Sequence, residues 1–532
     1  MLAASLAAAP VPSFAVSSEK AKLPNPQIKN IIVLIPDGMS VGGVTLTRWY
    51  NAYDSASGKI DTGKKLALDE MASGLMRTYW QADGIVGAIT DSAPAATALA
   101  TGNKTNDKFI AVTPAKTPVA SILEAAKLKG KATGLVATSQ IMHATPADYS
   151  SHYPDRSKEE IIAEQQVYNN IDVMFGGGWS RLSGREDKED LIAVLRQKGY
   201  SYVTDKEGLK NLSGKVWGMF AALGMSYEMD RVENTPSEPS LADMTQAAVN
   251  ILSKDPDGFF LMVEGSKIDW AAHANDPIAL ISDIDAFDQA VKTALEFAKK
   301  DNQTMVISIT DHGNGGVTIG NRATTSSYSK DPVEKFIAPL KKAKLTGEGL
   351  EAKLNADRSN IKEVMSKYFG IDDLTPEEEA AIKAAKAGSV NYAVGPMISK
   401  RAFIGWTTGG HTGEDIVLYT YLPGDERITG VVDNTDIARI CAGVWGIDLD
   451  SVTRRMFMEA KSAFEAKGAK ATIDKSDTSN PKMVVVKGSN TLVIPENKNC
   501  VELNGKAQEI DSVTVNVSDT FYVSGKVVEL IR

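Results

Sequence analysis

The chain has 532 residues, of which 43% are hydrophobic and 23% charged, a composition typical of a globular protein large enough for more than one domain. Its formal net charge of -9 argues against the basic surface that nucleic-acid-binding proteins need. Two cysteines, Cys441 and Cys500, are too few for a disulfide framework or for a zinc site of four thiolates, and the sequence does not determine whether they pair.

Residues 1–18 are apolar and rich in alanine, like the apolar part of a secretory signal. Ser13-Phe14-Ala15 fits the small-residue pattern of a cleavage site, which predicts a periplasmic or secreted protein. No Lys or Arg precedes this stretch, so the basic region that begins such signals is missing, and an alanine-rich tail is the alternative. No apolar stretch is long enough to span a bilayer, so we expect no transmembrane segment.

The first strand is predicted at residues 29–38, where a continuous apolar run ends in Asp37 and Gly38. Such a run is typical of a strand buried on both faces of a parallel sheet. Similar runs alternate with segments of helical spacing: we predict strands at 133–139, 171–175, 200–204, 259–264 and 304–312, and helices at 119–130, 157–168, 189–198, 240–252 and 277–299. This alternation predicts an α/β fold, a doubly wound and mainly parallel sheet with helices on both faces.

Thr90-Asp91-Ser92-Ala93-Pro94 follows a short segment broken by glycine and opens a run of small residues that is compatible with a helix. Ser92 therefore lies at a strand-to-helix junction, and Pro94 is tolerated in a first helical turn. A hydroxyl in this position faces the positive end of a helix, which favours an anion. Taken alone, the pattern is more typical of a helix cap formed by Asp91 or Ser92.

His143-Ala144-Thr145-Pro146-Ala147 comes just after the predicted strand at 133–139, and Arg156 follows thirteen residues after His143. Arginine is suited to holding phosphate through two parallel hydrogen bonds. Taken alone, Arg156 is more typical of a surface residue before a helix.

Three predicted buried strands end on acidic residues: Asp37, Glu264, and Asp311 followed by His312. Ligand sites of open α/β sheets form at the carboxyl ends of strands, so these side chains are candidate metal ligands. Asp269 and His273 are four residues apart and share one face of a helix, as a metal site or a surface ion pair would. His411 lies in a glycine-rich loop that can approach a metal closely.

Residues 321–400 change character, being charged and helical at 351–369 and 376–386, and we interpret them as an insertion beside the core. The core resumes with a strand at 416–422 and a helix at 435–445. Residues 467–481 are polar and are predicted to form a linker. Residues 482–532 are predicted to form a small all-β module, with strands at 483–486, 491–494, 513–517 and 521–530, whose role the sequence does not indicate.

Together these motifs resemble those of the alkaline phosphatase family, of the secreted or periplasmic bacterial type. The motifs occur in the family's order over residues 28–450, which we take as the catalytic domain: Thr90 to Thr97, His143 to Ala147, Glu264 to His273, Thr310 to Gly313, and Gly410 to Thr412. The resemblance implies hydrolysis of small phosphate monoesters through a phosphoserine on Ser92, with Arg156 holding the phosphate oxygens. It also leaves a homodimer open, because the family contains both dimers and monomers.

The resemblance further implies two Zn²⁺ ions and one Mg²⁺ ion. The first zinc would be bound by Asp269, His273 and His411, and the second by Asp37, Asp311, His312 and Ser92. The magnesium would be bound by Asp37, Thr145 and Glu264, with His143 contacting it through water. Asp91 would hydrogen-bond Arg156, and His152 would have a structural role.

Three positions depart from the pattern of some family members. His143 stands where some members have aspartate, Trp270 where some have lysine, and Asn314 where a histidine often follows the Asp-His pair. Groups that touch metal ligands alter metal affinity by about 10- to 100-fold, so these departures are expected to change how tightly the third metal binds.

The same superfamily contains phosphodiesterases, phosphonate hydrolases, sulfatases and phosphate mutases. Sulfatases usually need a modified Cys or Ser followed by an arginine that Ser92-Ala93-Pro94-Ala95-Ala96 lacks. Phosphodiesterases often use threonine as nucleophile and lack counterparts of Thr145 and Glu264. A protein that binds metal or phosphate without catalysis is the alternative from another class.

Overall fold

A 10-stranded sheet organises the computed structural model, which describes residues 28–424 and 426–531; the signal-like segment at 1–18 lies outside them. Its strands in chain order are β1 (Asn30–Ile35), β2 (Ala72–Arg77), β3 (Ala132–Gln140), β4 (Val173–Gly177), β5 (Ser201–Val203), β6 (Val216–Ala221), β7 (Phe259–Glu264), β8 (Thr304–Ser308), β9 (Ile416–Tyr421) and β10 (Gly430–Asp433). Across the sheet their order is β10-β2-β9-β8-β1-β7-β3-β4-β6-β5. Only β9 runs antiparallel to its neighbours within this sheet. The predicted mainly parallel α/β sheet is confirmed.

Strand β1 shows why the sheet is covered on both sides. Ile32 and Leu34 point into one hydrophobic core, whereas Ile31, Val33 and Ile35 point into another. Side chains alternate between the faces of a strand, so a continuous apolar run has to be buried on both. The helices on the first face include Val41–Ala52, Leu241–Leu252 and Pro277–Asp301, and those on the second include Ser92–Thr101, Ile122–Leu128, Glu159–Tyr168, Leu191–Gln197 and Asn434–Val444.

Strand β6 was not predicted from the sequence. It lies between β4 and β5, and its side chains are buried except for Ala221, which is half-buried. Gly218 interrupts its apolar run, and a Cβ there would lie 2.7 Å from the Phe175 ring. The position therefore suits glycine because a neighbouring aromatic side chain fills the space, although glycine is a poor strand former.

The insertion is mostly helical, as predicted, with helices at Val333–Ile337, Gly347–Glu351, Ile361–Phe369, Pro376–Ala384 and Asn391–Arg401. The single helix predicted at 351–369 is wrong, because residues 352–360 separate two helices. In that break the Asp357 carboxylate accepts hydrogen bonds from the Ser359 backbone N–H at 3.1 Å and from its hydroxyl at 2.8 Å. Such local bonds compete with helical ones.

The C-terminal part of the chain forms a second, smaller sheet. Five strands pair in sequence order: β11 (Lys470–Asp474), β12 (Lys482–Lys487), β13 (Asn490–Pro495), β14 (Cys500–Leu503) and β15 (Lys506–Glu509). A three-stranded sheet joins Met458–Glu459 to β16 (Val515–Val517) and β17 (Thr520–Val523). The helices Leu449–Met456 and Ala460–Glu465 precede these strands.

Two predictions for this part of the chain were wrong. Strand β11 occupies residues predicted as a linker; its Ala471 packs into the local core while Lys470 and Thr472 are exposed. The predicted strand at 521–530 ends at Val523, and Gly525–Glu529 is a helix that buries Val527 and Val528. Both cysteines are free thiols, and none of the described helices is long and apolar enough to cross a membrane.

Candidate active site

The predicted site residues meet at the carboxyl ends of the central strands. Strand β1 pairs with β7 through Ile35 and Glu264, and with β8 through Leu34 and Ser308. Parallel pairing in this register brings Asp37, Glu264 and the Asp311-His312 pair to one edge of the sheet, as expected from their positions in the sequence. All four side chains are fully buried.

Ser92 is the first residue of the helix Ser92–Thr101. Asp91 caps this helix, since its carboxylate accepts the Ala93 backbone N–H at 3.2 Å. The alternative in which Ser92 is the cap therefore does not apply, and its hydroxyl is free for another role. Ser92 Oγ lies 3.1 Å from His312 Nε2.

Asp37, Asp311 and His312 form the first cluster of ligand atoms, all within 4.8 Å of one another. His312 Nε2 lies 3.1 Å from Asp311 Oδ2 and 3.6 Å from Asp37 Oδ1. Gly38, next to Asp37, lets Asp269 approach this cluster closely, because its φ is +69° and a Cβ there would lie 2.6 Å from Asp269 Oδ1. Only glycine fits such a left-handed, crowded position without strain.

Asp269, His273 and His411 form the second cluster. Asp269 and His273 share one face of the helix Lys267–His273, with His273 Nε2 3.4 Å from Asp269 Oδ2. His411 reaches them because the short strand His411–Thr412 pairs antiparallel with Gly313–Asn314, just after Asp311 and His312. The Nε2 atoms of His411 and His273 lie 3.2 Å apart.

Backbone carbonyls orient both histidines of the second cluster. His273 Nδ1 lies 2.8 Å from Gly409 O, and His411 Nδ1 lies 2.7 Å from Thr90 O. A carbonyl only accepts, so each Nδ1 carries a proton, and in the neutral imidazole each Nε2 then presents a lone pair. Two lone pairs facing each other at this distance fit a cation bound by both. Backbone acceptors leave no signal in the sequence, and these contacts were not predicted.

Asp37, His143 and Glu264 form the third cluster, so Asp37 belongs to two of the three. Burial and then the charge of Asp311 raise the pKa of Asp37 well above its usual value. Burial, and with it the charge of Asp311, also raises the pKa of Glu264 to about 7. Ionising a buried carboxyl group costs free energy unless a positive charge lies close to it.

Several buried polar atoms of the site lack a hydrogen-bond partner among the described residues. They are both carboxylate oxygens of Asp37, Thr145 Oγ1, Glu264 Oε1, Asp311 Oδ2 and His143 Nδ1. Buried polar atoms are rarely left unpaired in native proteins, and the five oxygen atoms among these are hard donors of the kind that divalent cations take. These atoms fit metal ions in the first and third clusters, and the facing imidazoles of His273 and His411 fit one in the second.

Arg156 is held by Asp91, the residue that precedes Ser92 in the chain. Its Nη1 donates to both carboxylate oxygens of Asp91, at 2.9 and 2.8 Å, and Nη2 lies 2.9 Å from His143 Nε2. Burial and the charge of Arg156 lower the pKa of His143 to about 3, so this imidazole is neutral and accepts from the guanidinium. Although burial opposes it, Arg156 also lowers the pKa of Asp91.

The three departures from the family pattern surround these clusters. Asn314 Nδ2 donates to Asp269 Oδ1 at 2.7 Å and so fixes a carboxylate of the second cluster. Trp270 packs edge-on against His143, with ring centroids 5.9 Å apart. His152 lies outside the clusters and pairs with Glu124 at 3.0 Å.

Comparison with known proteins assigns this arrangement to a family. The family model described as alkaline phosphatase matches residues 28–446. The chain belongs to the alkaline phosphatase family. Its members are phosphoric monoester hydrolases, so the chain is a metal-dependent phosphomonoesterase.

The alkaline phosphatase similarity extends to individual proteins. The chain is 42% identical over 448 residues to alkaline phosphatase 3 of Bacillus subtilis, covering 82% of this chain and 92% of that protein. It is 29% identical to the Thermus thermophilus alkaline phosphatase structure, covering 79% and 92% of the two chains with a TM-score of 0.71. A histidine-to-glutamate variant of the enzyme from the Antarctic bacterium TAB5, with Mg bound in the M3 site, is 28% identical over 79% of this chain and 99% of that chain (TM-score 0.57).

Proposed function

We propose that Ser92 is the nucleophile of this alkaline phosphatase and that hydrolysis proceeds through a phosphoserine. The observation that carries the proposal is the position of Ser92 Oγ, 3.1 Å from His312 Nε2 at the edge of the first ligand cluster. The positive end of the helix Ser92–Thr101 adds a favourable field for the incoming phosphate.

We propose two zinc ions and one magnesium ion for the three clusters. Asp269, His273 and His411 would hold one zinc, and Asp37, Asp311 and His312, together with Ser92, the other. Asp37, Thr145 and Glu264 would hold the magnesium, with His143 close by as a neutral imidazole. When bound, such ions act as Lewis acids that lower the pKa of a coordinated hydroxyl and stabilise the charge of the transferred phosphoryl group.

The chain's own groups carry the two displacements. In the first, Ser92 Oγ forms a bond to phosphorus while the bond from phosphorus to the ester oxygen breaks, and the proton that Ser92 Oγ gives up passes through water to the departing alcohol. In the second, a water oxygen attacks phosphorus from the opposite side and the bond to Ser92 Oγ breaks. Inorganic phosphate leaves, and one proton of the attacking water returns to Ser92 Oγ.

Arg156 would hold the non-bridging phosphate oxygens during both displacements. Nη1 is fixed by Asp91 and Nη2 by His143, so the plane of the guanidinium is set before substrate binds. Orientation in advance reduces the entropy lost on binding. Asp91 and His143 are thus positioning residues, whereas Arg156 touches the substrate.

Replacing Arg156 with alanine is expected to raise KM for a phosphomonoester, and Ki for inorganic phosphate, by about 10- to 100-fold, because a hydrogen bond to a charged group contributes about 1.5–3 kcal/mol. Steady-state kinetics with phosphate as inhibitor measure both constants. Arg196→Ala, at an exposed position on the helix Leu191–Gln197, is the control and should change neither. Equal constants for wild type and Arg156→Ala would contradict the assignment.

A comparison of a phosphomonoester with its diester analogue tests the reaction class. We expect the monoester to be the better substrate by several orders of magnitude in kcat/KM, because Arg156 and the three clusters match a group with three free oxygens. Preference for the diester would favour a phosphodiesterase, and turnover of a phosphonate would favour a phosphonate hydrolase. Turnover of none of them, with metal still bound, would favour a binding protein.

Small phosphate monoesters are the proposed substrates, and export to the periplasm or medium is the proposed localisation. Export rests on the signal-like residues 1–18 and on the family resemblance. N-terminal sequencing of the protein recovered from each cell fraction tests it. Light scattering of the purified chain distinguishes a homodimer from a monomer.

A further inference from the structure

The C-terminal region, defined as residues 447–531, begins where the alkaline phosphatase family match ends, at residue 446. It nevertheless packs against the segment that carries Arg156. This segment, residues 150–157, contains His152 and lies between the helices Ala144–Asp148 and Glu159–Tyr168. The contact between them is both polar and apolar.

The polar contact is a chain of hydrogen bonds from Asn497 through Gln165 to His152. Gln165 Nε2 donates to Asn497 Oδ1 at 3.0 Å and to the backbone carbonyl of His152 at 3.2 Å. Gln165 Oε1 accepts the backbone N–H of His152 at 2.8 Å. Both amide hydrogens of Gln165 are thus used, one on the segment and one on the C-terminal region.

The burial, backbone conformation and hydrogen bonds of Asn497 all suit this contact. It is only 3% exposed and its φ is +58°, a backbone conformation that asparagine tolerates better than most residues. Its Nδ2 donates to Glu164 Oε2 at 3.1 Å, and its backbone N–H donates to Thr514 O at 2.8 Å. The next residue, Lys498, lies 3.5 Å from Glu164 Oε1, so neighbouring residues dock on the same helix.

The apolar contact comes from Phe457. Its ring lies 4.5 Å from the His152 ring, centroid to centroid, with an interplanar angle of 62°. Phe457 also clusters with Val515 and Val517 of the C-terminal region and with Ala120 of the catalytic domain. Thr453 Oγ1 accepts the backbone N–H of Ala120 at 2.9 Å, which fixes the same surface. His152 is therefore in contact with Phe457 and is linked to Asn497 through Gln165, and both Phe457 and Asn497 lie beyond the family match.

The backbone between His152 and Arg156 is tightly constrained. Tyr153 exchanges two backbone hydrogen bonds with Ile110, at 2.9 and 3.0 Å, and the Arg156 N–H donates to Lys108 O at 2.9 Å. Pro154 fixes its own φ and restricts Tyr153 before it. The backbone of residues 153–156 is therefore stiff, and we expect a shift of the His152 backbone to move the Arg156 backbone with it.

We infer that the C-terminal region acts as a brace that sets the position of Arg156, and that Asn497 and Phe457 are positioning residues of the phosphate site. The inference rests on the proposed function of Arg156. It gives a role in phosphate binding to a region outside the family match. Neither residue touches the substrate.

The first test replaces Asn497 with glycine, which keeps the positive φ and removes the side chain. We expect KM for a phosphomonoester and Ki for inorganic phosphate to rise about three- to tenfold, with kcat changed less than about twofold, because a misplaced binding group weakens binding steeply. Asn504→Gly is the matched control, since Asn504 has a φ of +51° and its hydrogen bonds stay within the small sheet. Unchanged KM and Ki in Asn497→Gly would overturn the inference.

A double-mutant cycle with Arg156→Ala separates positioning from a general loss of structure. If Asn497 acts through Arg156, adding Asn497→Gly to Arg156→Ala raises KM no further. Effects that simply multiply would show that Asn497 acts elsewhere and would overturn the inference.

Hydrogen exchange supplies a readout that does not depend on turnover. We expect the amides of residues 150–157 to exchange faster in Asn497→Gly than in wild type. In Asn504→Gly their exchange rates should equal those of wild type. If the proposed function of Arg156 is wrong, exchange in Asn497→Gly should still be faster than in wild type. Equal exchange rates in Asn497→Gly and wild type would overturn the inference. If Asn497→Gly does not fold, Phe457→Leu decides by the same measurements, since it removes the ring against His152 and keeps an apolar side chain.

Discussion

Replacing Ser92 with alanine is expected to lower phosphomonoester turnover by about 10³-fold or more, the scale seen when a nucleophile is removed. The substitution deletes one oxygen and leaves the helix start intact, because Asp91 rather than Ser92 caps the helix. We expect the variant to fold, to keep its metal, and to bind inorganic phosphate through Arg156. Single-turnover kinetics and elemental analysis of the same sample measure these properties.

The control for this prediction is Ser308→Ala. Ser308 ends strand β8, is fully buried, and has a hydroxyl without a hydrogen-bond partner among the described residues. Its loss removes a buried serine hydroxyl close to the site without touching the reaction. Near-normal turnover by Ser92→Ala would contradict the assignment of Ser92 as nucleophile. An equal loss of turnover in Ser308→Ala would mean that the loss in Ser92→Ala comes from impaired folding.

Removing the metal ions is expected to abolish turnover and to lower the free energy of unfolding. Ions that bind only the native state stabilise it by about 4 kcal/mol when present at about 1,000 times their dissociation constant. Without them, Asp37 and Glu264 are buried beside Asp311 and Asp269, and burial raises the pKa of both Asp37 and Glu264. Chelation followed by readdition of Zn²⁺ and Mg²⁺, monitored by thermal unfolding and activity, tests this expectation.

The carboxylate of Asp37, which two clusters share, allows a more specific test of metal binding. Asp37 belongs to two clusters and Asp269 to one, so Asp37→Asn should lower the bound metal more than Asp269→Asn. Metal must also displace protons from Glu264, whose pKa is about 7 in the metal-free protein. Metal affinity should therefore rise with pH through about 7 and fall below it. Equal metal content in both variants would contradict the shared role of Asp37.

The central strands were predictable because their burial is encoded in consecutive residues of the sequence. The run from Ile31 to Ile35 has to be buried on both faces, and its end at Asp37 marks the sheet edge where ligands collect. Strand β11 was missed for the opposite reason. Ala471 alternates there with exposed Lys470 and Thr472, and a strand at a sheet edge has the composition of a linker.

The candidate site was predictable in its residue types and less so in its geometry. Asp269 and His273 were paired by helical spacing, whereas the approach of His411 depends on a two-residue strand pairing that no periodicity indicates. The carbonyls of Gly409 and Thr90 orient the imidazoles, yet every residue carries such a group. The contact of Asn497 with Gln165 joins positions 332 residues apart, beyond any local pattern.

The most direct measurement is to trap the intermediate. The enzyme, loaded with Zn²⁺ and Mg²⁺, is mixed with a phosphomonoester, quenched in acid within one turnover, digested and analysed by mass spectrometry. We expect one phosphoryl group on the peptide that contains Ser92, absent from Ser92→Ala and from protein quenched before substrate is added. Turnover with no phosphorylated Ser92 peptide, or with the phosphoryl group on another residue, would contradict the account.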